Sequence, residues 1–142
     1  MKRLVYIIAI VGAYYAYEHF LIPDLPTSNA RPISAQPSPR SEQWRSGQQV
    51  RGSGMVIRIL SDDNEGDRHQ RFILELSSGR TLLVAHNIDL AQRISSLSTG
   101  DTVAFYGEFE TSAQGGVIHW THHDPNGRHV AGWLDHEGRR YQ

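Results

Sequence analysis

The chain has 142 residues, a formal charge of −1 and no cysteine, which leaves room for one ordinary domain and excludes a disulfide framework and any thiolate metal site. From Ser41 onward it holds ten arginines, thirteen acids, no lysine and seven histidines, a formal charge of −3 with His neutral. That balance offers no basic patch for duplex nucleic acid and leaves metal chemistry to histidine and carboxylate.

Lys2 and Arg3 precede an uncharged run from Leu4 to Tyr17 that continues past Glu18 and His19 to Ile22. A basic start before an apolar run is an export signal. Residues 4–17 would reach roughly 21 Å as a helix, and extension to Ile22 brings the segment close to the roughly 30 Å of a bilayer core. Tyr14, Tyr15 and Tyr17 suit an interfacial belt, and the two basic residues hold the N-terminus inside. Residues 1–22 are therefore expected to be a single-span anchor in a bacterial inner membrane, with the rest of the chain in the periplasm. The alternative is secretion after cleavage at the small residues Ser28 to Ala30. Residues 23–46 are Pro- and Ser-rich and read as a solvated linker.

Residues 47–142 are expected to form the folded domain. Val50 to Leu60 is a first strand whose Gly52 and Gly54 suggest a bend. The acidic turn from Ser61 to Asp67 leads to a second strand, Gln70 to Leu76, with Phe72, Leu74 and Leu76 on one face. That turn lacks the alternating ligands and distal glutamate of an EF-hand loop. Thr81 to Ala85 is a third strand. Asp89 and Gln92 have capping-box spacing, which predicts a short helix ending before Gly100. Thr102 to Phe109 and Val117 to Thr121 are two more strands, and Val130 to Tyr141 is a closing hairpin. Three strands, a helix and two strands is the element order of a mainly β, OB-fold-like five-stranded barrel with one short helix, here followed by a C-terminal hairpin.

The chemistry-bearing feature is histidine: His69, His86, His119, His122, His123, His129 and His136. Imidazole is the commonest metal ligand and titrates near neutrality. His69, His86, His119, His123 and His129 are the candidate metal ligands, with zinc the ion they would suit. On a straight strand His119 and His123 would stand roughly 13 Å apart, so a shared ion requires a bend near Thr121 or a ligand from elsewhere. His86, Asn87, His119, Trp120, His122 and Trp133 are candidate binding residues. Asp89 and Asp124 are candidate acid–base groups, although Asp89 reads first as a helix cap. Ser53, Ser95 and Ser96 lack the flanking elbow of a nucleophile.

His119, Trp120, Thr121 and His122 spell HWTH, and with Asp62-Asp63-Asn64, His69 to Phe72, His86 to Ala91, Gly132-Trp133 and Tyr141-Gln142 the chain resembles an uncharacterised bacterial family of short exported proteins marked by HWTH. The resemblance covers Gly47 to Gln142 and implies an envelope setting without supplying an activity. Two functions follow as expectations. The first is a membrane-tethered extracytoplasmic module binding an envelope ligand such as a glycan, an oligonucleotide or a protein. The second is a histidine-ligated metal-dependent hydrolase such as a phosphodiesterase or nuclease.

Overall fold

The computed structural model describes residues 43–142; the predicted anchor over 1–22 and the predicted linker up to residue 42 lie outside the described residues. The described part is mainly β, with seven strands: β1 (Gln48–Ile59), β2 (His69–Glu75), β3 (Thr81–Asn87), β4 (Thr102–Glu110), β5 (Val117–His119), β6 (Trp133–His136) and β7 (Arg139–Tyr141). The spatial order is β1-β2-β3-β5-β4, and a β1–β4 pairing closes the five into a barrel. All pairings are antiparallel except β3 with β5. Closure removes the open edges that strands this short would otherwise present.

The long first strand makes closure possible. Residues 48–55 pair with β4, residues 55–59 pair with β2, and a register shift falls between Val56 and Arg58. Gly52 sits where the strand passes over an interior ring; a Cβ there would stand 2.7 Å from Phe105 Cζ. The period-2 apolar sets fill the interior as their alternation requires. Val50, Val56, Phe72, Leu74, Leu82, Val84, Val103, Phe105, Phe109 and Ile118 form one cluster, and Trp44 packs against it with its ring edge-on to Phe105 and Phe109.

The predicted helix after Asp89 is not formed; the described residues contain no helix. The reason is competition for its backbone groups. Asn87 Oδ1 accepts the N–H groups of Asp89 and Leu90, while the Asp89 carboxylate turns away to the backbone N–H and the guanidinium of Arg68. The Gln70 amide donates to Ile94 O and accepts from Ile94 N, and His86 takes the Gln92 carbonyl. Side chains from β2 and β3 thus claim the bonds that a helical turn would need. The segment crosses the barrel as an irregular strap whose Ile94 and Leu97 are buried in the core.

The C-terminal hairpin β6–β7 turns at Glu137 and Gly138, both at positive φ as a two-residue hairpin turn demands. It docks on β4 beyond the end of β5. Leu134 and Tyr141 seal the core there, and the buried His136 ring is held to Asp101 Oδ2 at 2.8 Å.

Candidate functional site

Strands β5 and β6 share one edge of β4, and the loop from Trp120 to Gly132 runs between them. Their register creates two cross-strand rows on the outer face of the barrel. Gln49, Glu108 and His119 form the first, and Arg51, Tyr106 and Trp133 form the second. Residues directly opposite one another on paired strands share a face, so each row is a line of touching side chains.

The HWTH run bends one residue earlier than Thr121, and it is His129, not His123, that joins His119 at the Glu108 carboxylate. Trp120 adopts φ 53°, a conformation that bulky residues rarely take. The residues around it hold this backbone in place. Gly132 donates to the His122 carbonyl at 3.0 Å. A Cβ on Gly132 would meet Trp120 O at 1.9 Å, and one on Gly107 would meet His119 O at 2.5 Å. Only bare backbone fits at either contact.

The bend divides the motif. On the inner side, Thr121 is fully buried and its hydroxyl lies 2.8 Å from His86 Nδ1. Because the Gln92 carbonyl on Nε2 can only accept, the His86 proton resides on Nε2, and Nδ1 accepts from Thr121. Burial holds His86 down at about 4, and the positive charges of His122 and His69 would push it the same way. Burial also lowers His69 and His122. The His122 Nδ1 lies 2.7 Å from the His123 carbonyl. Asn87 is the buried strap anchor described above, and the His123 side chain is exposed.

On the outer side, His119 Nε2 approaches Glu108 Oε1 at 3.4 Å, and His129 Nε2 lies 2.6 Å from Glu108 Oε2. The His129 ring stacks on Trp120 with centroids 4.0 Å apart and planes 9° from parallel. His119, then His129, hold the Glu108 carboxyl down at about 2, against the opposing effect of desolvation. Among the described residues, Glu108, Glu110 and His119 bring ligand atoms within 4.8 Å of one another. His119 Nε2 and both amide atoms of Gln49 are buried without a hydrogen-bond partner. Buried polar groups are nearly always paired, so three such atoms in one row point to a missing partner.

In the second row the Arg51 guanidinium lies 5.1 Å from the Tyr106 ring centroid and 5.6 Å from that of Trp133, and Arg140 covers Trp133 at 4.2 Å. Asp124 organises the loop: its carboxylate accepts the backbone N–H groups of Asn126, Arg128 and His129. These bonds, with Asn126 first, keep its carboxyl below the ordinary range. Asp89 is likewise lowered, first by the Arg68 backbone N–H and then by its guanidinium.

The structure therefore brings His119, Trp120 and His129 to one face, adds Trp133 on the neighbouring row, and buries His86, Asn87 and His122, the last with its ring 5.2 Å from that of Trp120. Glu108, Glu110 and Gln49 were not singled out from the sequence. Their signal was the strand period, since Glu108 and Glu110 alternate with the core residue Phe109.

A family model described as a protein of unknown function, DUF3465, matches residues 31–142, in keeping with the resemblance to an uncharacterised family. No curated protein and no solved structure matches the chain.

Proposed function

The chain belongs to the DUF3465 family of proteins of unknown function, and from that premise we propose that it is a binding module, tethered by its N-terminal segment to the outer side of a bacterial inner membrane. In this reading the domain is an OB-type barrel, supported by the strand order β1-β2-β3-β5-β4 with its β1–β4 closure and its parallel β3–β5 pair. The envelope ligand, whether a glycan, an oligonucleotide or a protein, docks on the outer face of β1, β4, β5 and β6. The observation that carries the reading is the set of buried, unpartnered atoms on that face, Gln49 Oε1 and Nε2 and His119 Nε2. A polar group or ion entering between these side chains as they part would satisfy them, and leaving them unmet costs roughly 1–3 kcal/mol each. Tyr106 and Trp133 beside them provide apolar ring surface.

The test is a panel of peptidoglycan fragments, single-stranded oligonucleotides and envelope-derived peptides offered to the full-length protein. One class is expected to bind, and Trp133→Ala is expected to weaken it by about 1–3 kcal/mol if its ring stacks on the ligand. Binding indifferent to both Trp133→Ala and Gln49→Ala would place the site elsewhere and contradict the reading. The hydrolase is the second reading, favoured by the approach of His119 to two carboxylates. Its candidate acid–base residues Asp89 and Asp124 are both engaged in structural hydrogen bonds.

A further inference from the structure

We propose that Glu108, Glu110 and His119 form a binding site for one divalent first-row transition-metal cation, with zinc as the reference ion. The proposal deepens the binding-module reading, because it assigns a ligand to part of the same face. Its first support is a distance. Two ligands each about 2.1 Å from one ion at the tetrahedral angle stand about 3.4 Å apart. His119 Nε2 and Glu108 Oε1 are separated by 3.4 Å. The approach is an ion-pair contact in which His119 Nε2 does not complete a well-formed hydrogen bond, and its length is also the one expected for an edge of a coordination tetrahedron.

The second support is the way the ligands are held. The Glu108 carboxylate is split between two rings: His129 takes Oε2 at 2.6 Å and leaves Oε1 directed at His119. His129 is itself fixed by the Trp120 stack and by Nδ1 against the Val130 carbonyl at 2.8 Å. An outer ring that orients a ligating carboxylate is the usual support of a metal site. Glu110 brings a carboxylate oxygen within 4.8 Å of both other ligand atoms, a separation that must shorten to about 3.4 Å for all three to hold one ion. Gln49 stands opposite Glu108 in register with both amide atoms unmet, and a water on the ion's open position would give it a partner. Imidazole with two carboxylates suits zinc-class ions, whereas calcium and magnesium favour all-oxygen shells.

The strained Trp120 also acquires a reason under this proposal. A regular strand through residues 119–122 would leave the chain extended past β4; the turn at Trp120 places its own ring on His129 and so brings His129 to Glu108. His129 is thus a positioning residue.

The experiment is titration of chelator-treated full-length protein with Zn²⁺ by calorimetry and with Co²⁺ by visible absorption. One ion per chain is expected, with Co²⁺ giving the intense visible bands of a four-coordinate site. His119→Gln and Glu108→Gln are each expected to weaken Zn²⁺ binding at least ~100-fold, and His129→Phe about 10–100-fold. His123→Ala, at an exposed position, is expected to change nothing. Absence of binding in the wild type overturns the proposal, as does binding undiminished in His119→Gln or equal competition by Ca²⁺. If the variants fail to fold, the Co²⁺ spectrum of the wild type still decides, since weak bands of an octahedral ion would contradict the site. Failure here leaves Trp133-dependent binding of a panel ligand intact, and failure of that panel leaves the metal titration intact, so the two readings fall separately.

Discussion

The two halves of the HWTH run face opposite sides of one β-strand wall and are built to opposite standards. Inside, Thr121 and His86 form a network in which each ring nitrogen and the Gln92 carbonyl have a partner. Outside, one bend away, His119 and the neighbouring Gln49 have buried atoms with none. Two further buried atoms, His136 Nδ1 and Gln114 Oε1, also have no hydrogen-bond partner, so a missing partner does not by itself mark a binding histidine. What sets His119 apart is that its free nitrogen lies among the carboxylates of Glu108 and Glu110.

The largest expected effect comes from removing the joint between the halves. Gly132→Ala would drive a Cβ into the carbonyl oxygens of Trp120 and Tyr106 and should lower stability by more than about 3 kcal/mol, read as the urea midpoint; relief of a strained backbone contact of this kind lies in the far tail of single substitutions. A midpoint within 1 kcal/mol (roughly) of wild type would show that the loop moves freely and that the bend is not what divides the motif.

Acid should act on the inner half next. His86 has a folded value of about 4 against 6.5 unfolded, so the unfolded chain binds the extra proton between those limits. Its contribution is full above pH 6.5, is lost as the pH falls toward 4 and is flat below that, roughly 3 kcal/mol in all. His69 and His122, which face it and are also lowered by burial, steepen the loss in the same direction. Chemical unfolding at pH 7, 5.5 and 4.5 checks this, and a stability that rises on acidification would contradict it. Protonating all seven histidines would take residues 41–142 from a formal −3 to +4, and the three lowered by burial place part of that change at lower pH.

Thr121→Val keeps the shape and strips one donor from His86 Nδ1. The expected loss is about 1–3 kcal/mol, the cost of one unsatisfied buried acceptor. The matching change outside, His119→Gln, should shift the unfolding midpoint by less than Thr121→Val does, because what it removes is the 3.4 Å ion-pair approach to Glu108 and not a formed buried hydrogen bond.

Much of this arrangement was open to sequence reading, for reasons that can be located. The first and fourth strands show the two-residue alternation, so Phe105 and Phe109 announced their inward face, whereas β3 is buried at every position after Thr81 and shows no such period. The strap after Asp89 did not announce itself. Its capping-box spacing was real, but of the groups that defeat a helix there, Gln70 lies 24 residues before the Ile94 that it bonds and His86 lies on the strand just before the strap, 6 residues from Gln92. The outer site was hidden by a matter of register. A turn centred between Ala113 and Gln114 pairs Glu108 with His119, whereas one centred on Gly115 would pair it with His122. Gln114, Gly115 and Gly116 suggested the second. A shift of this size in a turn exchanges the partners of every residue on the hairpin, and so the placing of Glu108 opposite His119 became visible only with the fold.

The most direct test of the division is a paired measurement on two single variants of the full-length protein, Thr121→Val and His119→Gln, each assayed for urea stability and for Zn²⁺ affinity. A crossed result is expected: Thr121→Val shows the larger loss of stability and keeps wild-type zinc affinity, while His119→Gln shows the smaller loss of stability and loses zinc. Both variants losing both properties together, or Thr121→Val losing zinc while His119→Gln retains it, would contradict the claim that the motif is structural on one side of Trp120 and ligand-binding on the other.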